Sequence, residues 1–213
     1  MINRKAVAAA ALISLSLAGC ASDGEITATG ITTTYTACPP VAIAAPTGDI
    51  TLFDPPTSRE SRAIDVVATM TNVRATCTET GEHIVTNANF DIQARRRDTA
   101  GAREVVVPYY AVVVQGGSAP VSKAVSRVAL RFEDGQATAT TSGAATSQVL
   151  RSAATLPEDI RRQITRQRRP GDADAAVDPM ADPAVRAAVQ RASFEVLLGF
   201  ELTADQLRYN ATR

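Results

Sequence analysis

Histidine is nearly missing from this chain: His83 is the one imidazole in 213 residues. That excludes a two-histidine zinc site and leaves a single candidate base for any Ser-His or Cys-His pair. His83 follows Thr80-Gly81-Glu82 and reads as a solvated turn residue leading into a strand. No Gly-x-Ser-x-Gly elbow, no Walker loop and no His-Glu-x-x-His occurs. Charge of one sign is lacking too, with 22 basic against 22 acidic residues. Such a balance sets up no global field for nucleic acid or for a strongly anionic surface. No apolar run approaches the roughly 20 residues that span a bilayer as a helix.

What is present begins at the first residues. Arg4 and Lys5 precede an apolar run over 6–17, which ends in Leu17-Ala18-Gly19-Cys20. A charged start, a short greasy segment and small residues before a cut have the layout of an export signal. Leu17-Ala18-Gly19-Cys20 resembles the lipobox of bacterial lipoproteins, and the resemblance covers residues 1–20. It implies that residues 1–19 are removed, that Cys20 carries a thioether-linked diacylglycerol, and that its new amino group is acylated. Two or more chains hold a protein stably on a bilayer, since each buried methylene adds about 0.8 kcal/mol. Ala21 and Ser22 follow the cysteine where an Asp would signal inner-membrane retention. The resemblance therefore implies the outer membrane, facing the periplasm.

With Cys20 assigned to lipid, Cys38 and Cys77 remain. In the oxidising compartment that the resemblance implies, this even pair is expected to form a disulfide. The two are neither a Cys-x-x-Cys motif nor close to other soft ligands, so a structural bridge is the reading. No metal or cofactor is expected.

Residues 20–30 are small and polar and suit a lipidated tether, leaving 31–213 as the domain. The domain reads as β. Ile64, Val66, Ala68 and Met70 alternate with Asp65, Val67, Thr69 and Thr71. Ala88, Phe90, Ile92 and Ala94 alternate with Asn89, Asp91, Gln93 and Arg95, and Phe194, Val196, Leu198, Phe200 and Leu202 continue the theme. A period of two marks strands with one buried face. Residues 105–114 are β-branched and aromatic on both faces, and Pro108 within them points to an edge or a bulge. Asp134-Gly135 between two extended runs is a hairpin signal. The expectation is a mainly β chain: an antiparallel β-sandwich, immunoglobulin-like or a partly open barrel, with a short helical insertion near the C-terminus. The absence of Trp and of Cys…Trp…Cys spacing argues against a true immunoglobulin domain.

The insertion spans 156–191. Pro157 and the acids Glu158 and Asp159 open a helix, with Ile160 and Ile164 on one face and Pro170-Gly171 as its stop. Arg161, Arg162, Arg166, Arg168 and Arg169 cover the rest and could clamp an anionic group. Their bland reading is a surface helix paired with the acidic loop that follows. In that loop Asp172, Asp174, Asp178 and Asp182 lack the spacing of a Ca²⁺ loop. Arg95, Arg96 and Arg97 read as a turn before Asp98. Thr203 and Gln206 have capping-box spacing for a last helix.

The functional expectation is a non-enzymatic, membrane-anchored accessory or scaffold subunit of an envelope protein complex, with no nucleic-acid partner. The valine- and tyrosine-rich segment 105–114 is the candidate partner edge. The alternative is a module binding lipopolysaccharide or peptidoglycan through the arginine helix.

Overall fold

The computed structural model describes residues 26–27, 30–31, 36–166, 171–174 and 176–212. Ten strands appear in chain order among the described residues. β1 (Ile26–Thr27) and β2 (Gly30–Ile31) pair antiparallel with each other. The body comprises β3 (Val41–Ile43), β4 (Asp49–Phe53), β5 (Ile64–Thr80), β6 (His83–Arg96), β7 (Arg103–Gln115), β8 (Ala119–Phe132), β9 (Thr138–Leu150) and β10 (Phe194–Phe200). Three helices follow the long strands: α1 (Glu158–Thr165), α2 (Pro183–Ala192) and α3 (Ala204–Thr212). The first sheet has the order β3-β10-β7-β8 and the second β4-β5-β6-β9. Pairing is antiparallel except for β3 beside β10. The chain is thus mainly β, a sandwich or half-barrel of two antiparallel-rich sheets with a C-terminal helix.

Alternating side chains build the core between the sheets. Ile84, Thr86, Ala88, Phe90, Ile92, Ala94 and Arg96 of β6 all point inward and are buried. They meet Val107, Tyr109, Ala111 and Val113 of β7 and Val196, Leu198 and Phe200 of β10. Phe90 and Tyr109 touch edge to face with ring centroids 5.1 Å apart, and the Tyr109 hydroxyl donates to the Ala144 carbonyl at 2.8 Å. Gly143 is required on β9 because a Cβ there would sit 2.4 Å from the Phe90 ring.

Three expectations change. β7 is interior rather than an edge, flanked by β10 and β8. Pro108 is tolerated there because its backbone faces the end of β10. Its carbonyl accepts from Glu201 N at 3.0 Å, one residue beyond the β10 ladder. A residue's N–H and C=O face the same neighbour, so the missing donor falls where that ladder stops. Asp134-Gly135 is not a hairpin, since β8 pairs with β7 and β9 with β6. The turn is an arch that carries the chain from one sheet to the other. Finally, α1 ends at Thr165, before Pro170, with Arg166 already extended at φ −61°, ψ 124°. Thr165 is β-branched and its hydroxyl bonds back to the Arg161 carbonyl at 2.8 Å, which competes with further helix.

Arg96 departs furthest from its reading as a turn residue. It is the last residue of β6 and only 2% exposed. Its Nε donates to Gln136 O at 2.8 Å, one terminal nitrogen to Gly101 O at 2.8 Å, and the other to Thr99 O at 2.9 Å and Glu133 O at 2.8 Å. The guanidinium lies over the Phe132 ring, 5.2 Å from its centroid. Its acceptors come from both connections that cross between the sheets at this end, 97–102 and 133–137. Those connections also bond each other, Gly135 N to Thr99 O at 2.9 Å and Gly101 N to the Asp134 carboxylate at 2.7 Å.

Cys38 and Cys77 are bonded, with Cα atoms 6.0 Å apart. The bridge joins the segment before β3, in one sheet, to β5 in the other. Closing a loop of this separation, 39 residues, stabilises by about 4 kcal/mol in the chain-entropy model. Replacing both cysteines by Ala is expected to lower unfolding free energy by about 2–4 kcal/mol, read as a lower urea midpoint, with a steeper slope because the unbridged unfolded chain is more open. Arg96→Lys, which cannot reach four carbonyls from one nitrogen, should cost on the order of 3 kcal/mol in the same measurement.

Candidate functional site

The arginine helix carries the first set of candidate residues. Glu158 in its first turn accepts from Arg161 Nε and a terminal nitrogen, both at 2.8 Å. Arg162 approaches the same carboxylate at 3.9 Å. Arg166, just past the helix, pairs with Asp174 across the loop. Arg162, Arg166, Asp159, Asp174, Val177 and Pro179 line an open cleft of about 540 Å³. Its charges are mixed, and an incoming anion must displace carboxylates to reach Arg161 or Arg166. Arg168 and Arg169 lie outside the described residues, as does Cys20.

The acidic loop has local work. Asp178 accepts from Met180 N at 2.9 Å and caps a short 3₁₀ turn. Asp182 accepts from Ala184 N at 2.8 Å and caps α2, with Pro183 at its first position. The sequence reads a second short helix over 183–191 within the insertion, and the structure has it, opened by a standard Asp-Pro start. α2 then buries Val185, Ala188 and Ala192, and its Arg191 carbonyl accepts from Gln115 of β7 at 2.6 Å. Among the described residues, no group of three or more His, Cys, Asp or Glu could hold a metal ion. His83 opens β6 opposite Thr80, where Gly81 at φ 59° makes the two-residue turn.

The outer faces of the two sheets differ in chemistry. On the second sheet Asn87, Asn89, Asp91 and Gln93 of β6 point outward beside the Thr and Ser side chains of β9. Thr146 donates to Asn87 at 2.8 Å. Asp91 accepts from Asn72 at 2.7 Å and Ser142 at 3.0 Å. Asn72 reaches it because φ is 52° there, in an irregularity of β5 between Thr71 and Arg74. The Asn72 amide foremost, then the Ser142 hydroxyl and the nearby Arg74, hold the Asp91 carboxyl below its ordinary value.

The first sheet shows solvent an apolar face instead. Val106, Pro108, Tyr110 and Val112 of β7 point outward, beside Leu197 of β10 and Val125 of β8. Val106 is 52% and Val125 53% exposed. One corner of this face is sealed. Thr47 Oγ1 donates to Ala44 O at 3.0 Å, and the Tyr110 hydroxyl meets Thr47 at 2.9 Å. The pair closes over Gly199, where a Cβ would lie 2.1 Å from Thr47 Oγ1. Lys123 sits 4.9 Å from the Tyr110 ring centroid and 2.7 Å from Glu201.

The capping box at the last helix is present in both directions: Thr203 N donates to Gln206 at 2.9 Å and Gln206 N to Thr203 at 3.2 Å. Asn210 on α3 donates to the Pro46 and Asp49 carbonyls, both at 2.8 Å. Tyr209 stacks edge to face on Phe53.

Set beside known protein families, curated proteins and solved structures, the chain matches none.

The polar network on the second sheet gives a pH signature. A carboxyl held below its ordinary value stabilises the fold above about pH 4, and that contribution disappears as pH falls through its folded pKa. An NMR titration should find the Asp91 midpoint below the ordinary carboxylate value, and Asn72→Ala should move it upward.

Proposed function

We propose that this chain is a lipid-anchored protein of the bacterial envelope that serves as an accessory binding subunit of an envelope protein complex. The observation that carries the binding role is the outward face of β7. An antiparallel sandwich ordinarily turns polar side chains to water. The second sheet does so with Asn87, Asn89, Asp91 and Gln93, whereas the first turns out Val106, Pro108, Tyr110 and Val112. An exposed apolar patch rimmed by charge is the usual mark of an interaction surface. Here the rim is Glu104, Arg131 and Lys123, ion-paired within the sheet as Arg131–Glu104 at 2.9 Å and Lys123–Glu201 at 2.7 Å.

Support for the anchor comes from Leu17-Ala18-Gly19-Cys20, and Ala21-Ser22 after it favours the outer membrane. A lipid anchor confines the domain to a surface, which raises its encounter rate with membrane-bound partners without any new contact. Binding of an anionic envelope ligand through Arg161, Arg162 and Arg166 is the weaker reading, because Glu158 and Asp174 already engage these groups.

Cell fractionation should place the full chain in the outer membrane and a Cys20→Ser form in the soluble periplasm. Cross-linking in intact cells should recover one stoichiometric partner, lost when Val106 and Val112 are both changed to Glu. Membrane retention of Cys20→Ser would overturn the anchor, and repeated recovery of no partner would overturn the accessory role.

A further inference from the structure

Among the described residues, β8 is the outermost strand of the first sheet and pairs with β7 alone. Every residue over 119–127 is exposed, on both faces of the strand. Val121 is 52% and Val125 53% exposed. A fourteen-residue edge strand is long against the usual five or six, and its unpaired backbone is a template for another chain.

The direction of that backbone follows from the neighbouring ladder. Pro108 O accepts from Glu201 N, so Pro108 faces β10. Backbone groups alternate sides along a strand, so Tyr109 faces β8, where its partner is Ser126. Ser126 therefore faces β7. Lys123, Val125 and Arg127 turn their N–H and C=O groups to the open edge.

The side chains say what such an edge accepts. β8 carries Lys123, Arg127 and Arg131 and no acidic residue. Lys123 is held by Glu201 and Arg131 by Glu104. Arg127 stands opposite Pro108, which offers no charge, and has no ion pair among the described residues. A second copy is disfavoured as occupant. Antiparallel pairing about a two-fold axis at Val125 would set Lys123 of one chain against Arg127 of the other, and like charges directly opposite are destabilising. An acidic strand meets no such penalty.

We propose that the open edge of β8 takes an extended acidic segment of a partner protein as an added strand. The ladder comes from the backbone of Lys123, Val125 and Arg127, and Arg127 selects a carboxylate on the incoming strand. This is strand addition, in which main-chain bonds supply affinity and side chains supply choice. It deepens the partner-binding half of the function proposed above and is independent of the anchor, so the Cys20→Ser fractionation and the experiment below fail separately.

The probes are two short synthetic peptides of alternating valine and threonine, one with central glutamates and one with lysines in their place. Each is titrated into the purified full chain, with affinity and amide exchange as readouts. The glutamate peptide is expected to bind more tightly and to slow exchange at Lys123, Val125 and Arg127. Arg127→Glu should weaken it by about tenfold, about 1.4 kcal/mol, and reverse the preference between the peptides. Val125→Pro removes an outward N–H without taking a bond from β7, a position where edge strands tolerate proline. It should abolish binding of both peptides at an unchanged melting midpoint. Equal binding of the two peptides would overturn the proposal. So would slowed exchange at other strands only, or exchange already slow at these three amides in the free chain. Phosphatidylglycerol vesicles that slow the three amides when the glutamate peptide does not would also overturn it, in favour of a membrane surface.

Discussion

Two sheets in one core must be joined by chain that crosses between them, and crossing chain leaves peptide groups unpaired where water is excluded. The Arg96 guanidinium meets this constraint. Taking a guanidinium out of water is costly, and here the compensation comes from main-chain carbonyls of Thr99, Gly101, Glu133 and Gln136. A planar fork with five donors suits several carbonyls converging from different directions, where a lysine ammonium would not. The same side chain closes the core, since its flat face covers Phe132. Satisfying the crossings and capping the hydrophobic layer are thus one event, and the relative placement of β6, β7, β8 and β9 depends on it.

The opposite flank is organised by close approach rather than by charge. Gly199 lets the Thr47–Tyr110 pair lie across β10, and the 44–48 crossing is held there by Ala44 N on Leu198 O at 2.8 Å and Phe200 N on Thr47 O at 2.7 Å. Asn210 of α3 takes up carbonyls of Pro46 and Asp49 from the same crossing. One flank of the sandwich is therefore closed by short contacts around a glycine. The other, where β8 and β9 diverge from their arch, leaves a sheet edge open. The asymmetry between a sealed and an unsealed flank is what gives the molecule a face to offer.

Much of this was legible in the residues. The strict alternation in 88–95 and 194–202 reports burial of one face, and that periodicity survives any choice of partner strand. Continued one step beyond Ala94, the same alternation places Arg96 inward, and it was the charge of the side chain that concealed this. The Asp134-Gly135 signal reports a tight turn correctly, yet turn chemistry is local and cannot distinguish a hairpin from an arch between sheets. Pro108 misleads for a related reason. The rule against proline in interior strands assumes a full ladder on both sides, and β10 stops one residue short. Pro183 marks the start of α2 in the sequence, but the capping role of Asp182, and of Asp178 before it, is masked because an acidic cluster invites a search for cations before a search for caps. The open edge of β8 has no sequence signature, since exposure depends on which strand fails to arrive beside it.

The disulfide has a mechanical consequence. β3 holds only three residues against β10, so a pull on the chain ahead of residue 38 would peel it away easily if the backbone alone bore the force. Because Cys38 is welded to Cys77, that load passes through sulfur into β5, three residues before the turn to β6, and β6 in turn pairs along its length with β9. The short strand is relieved of tension, and traction on the N-terminal side is borne by β5 and, through its ladder, by β6. A domain built this way can be held by a leash and tugged without its first sheet opening.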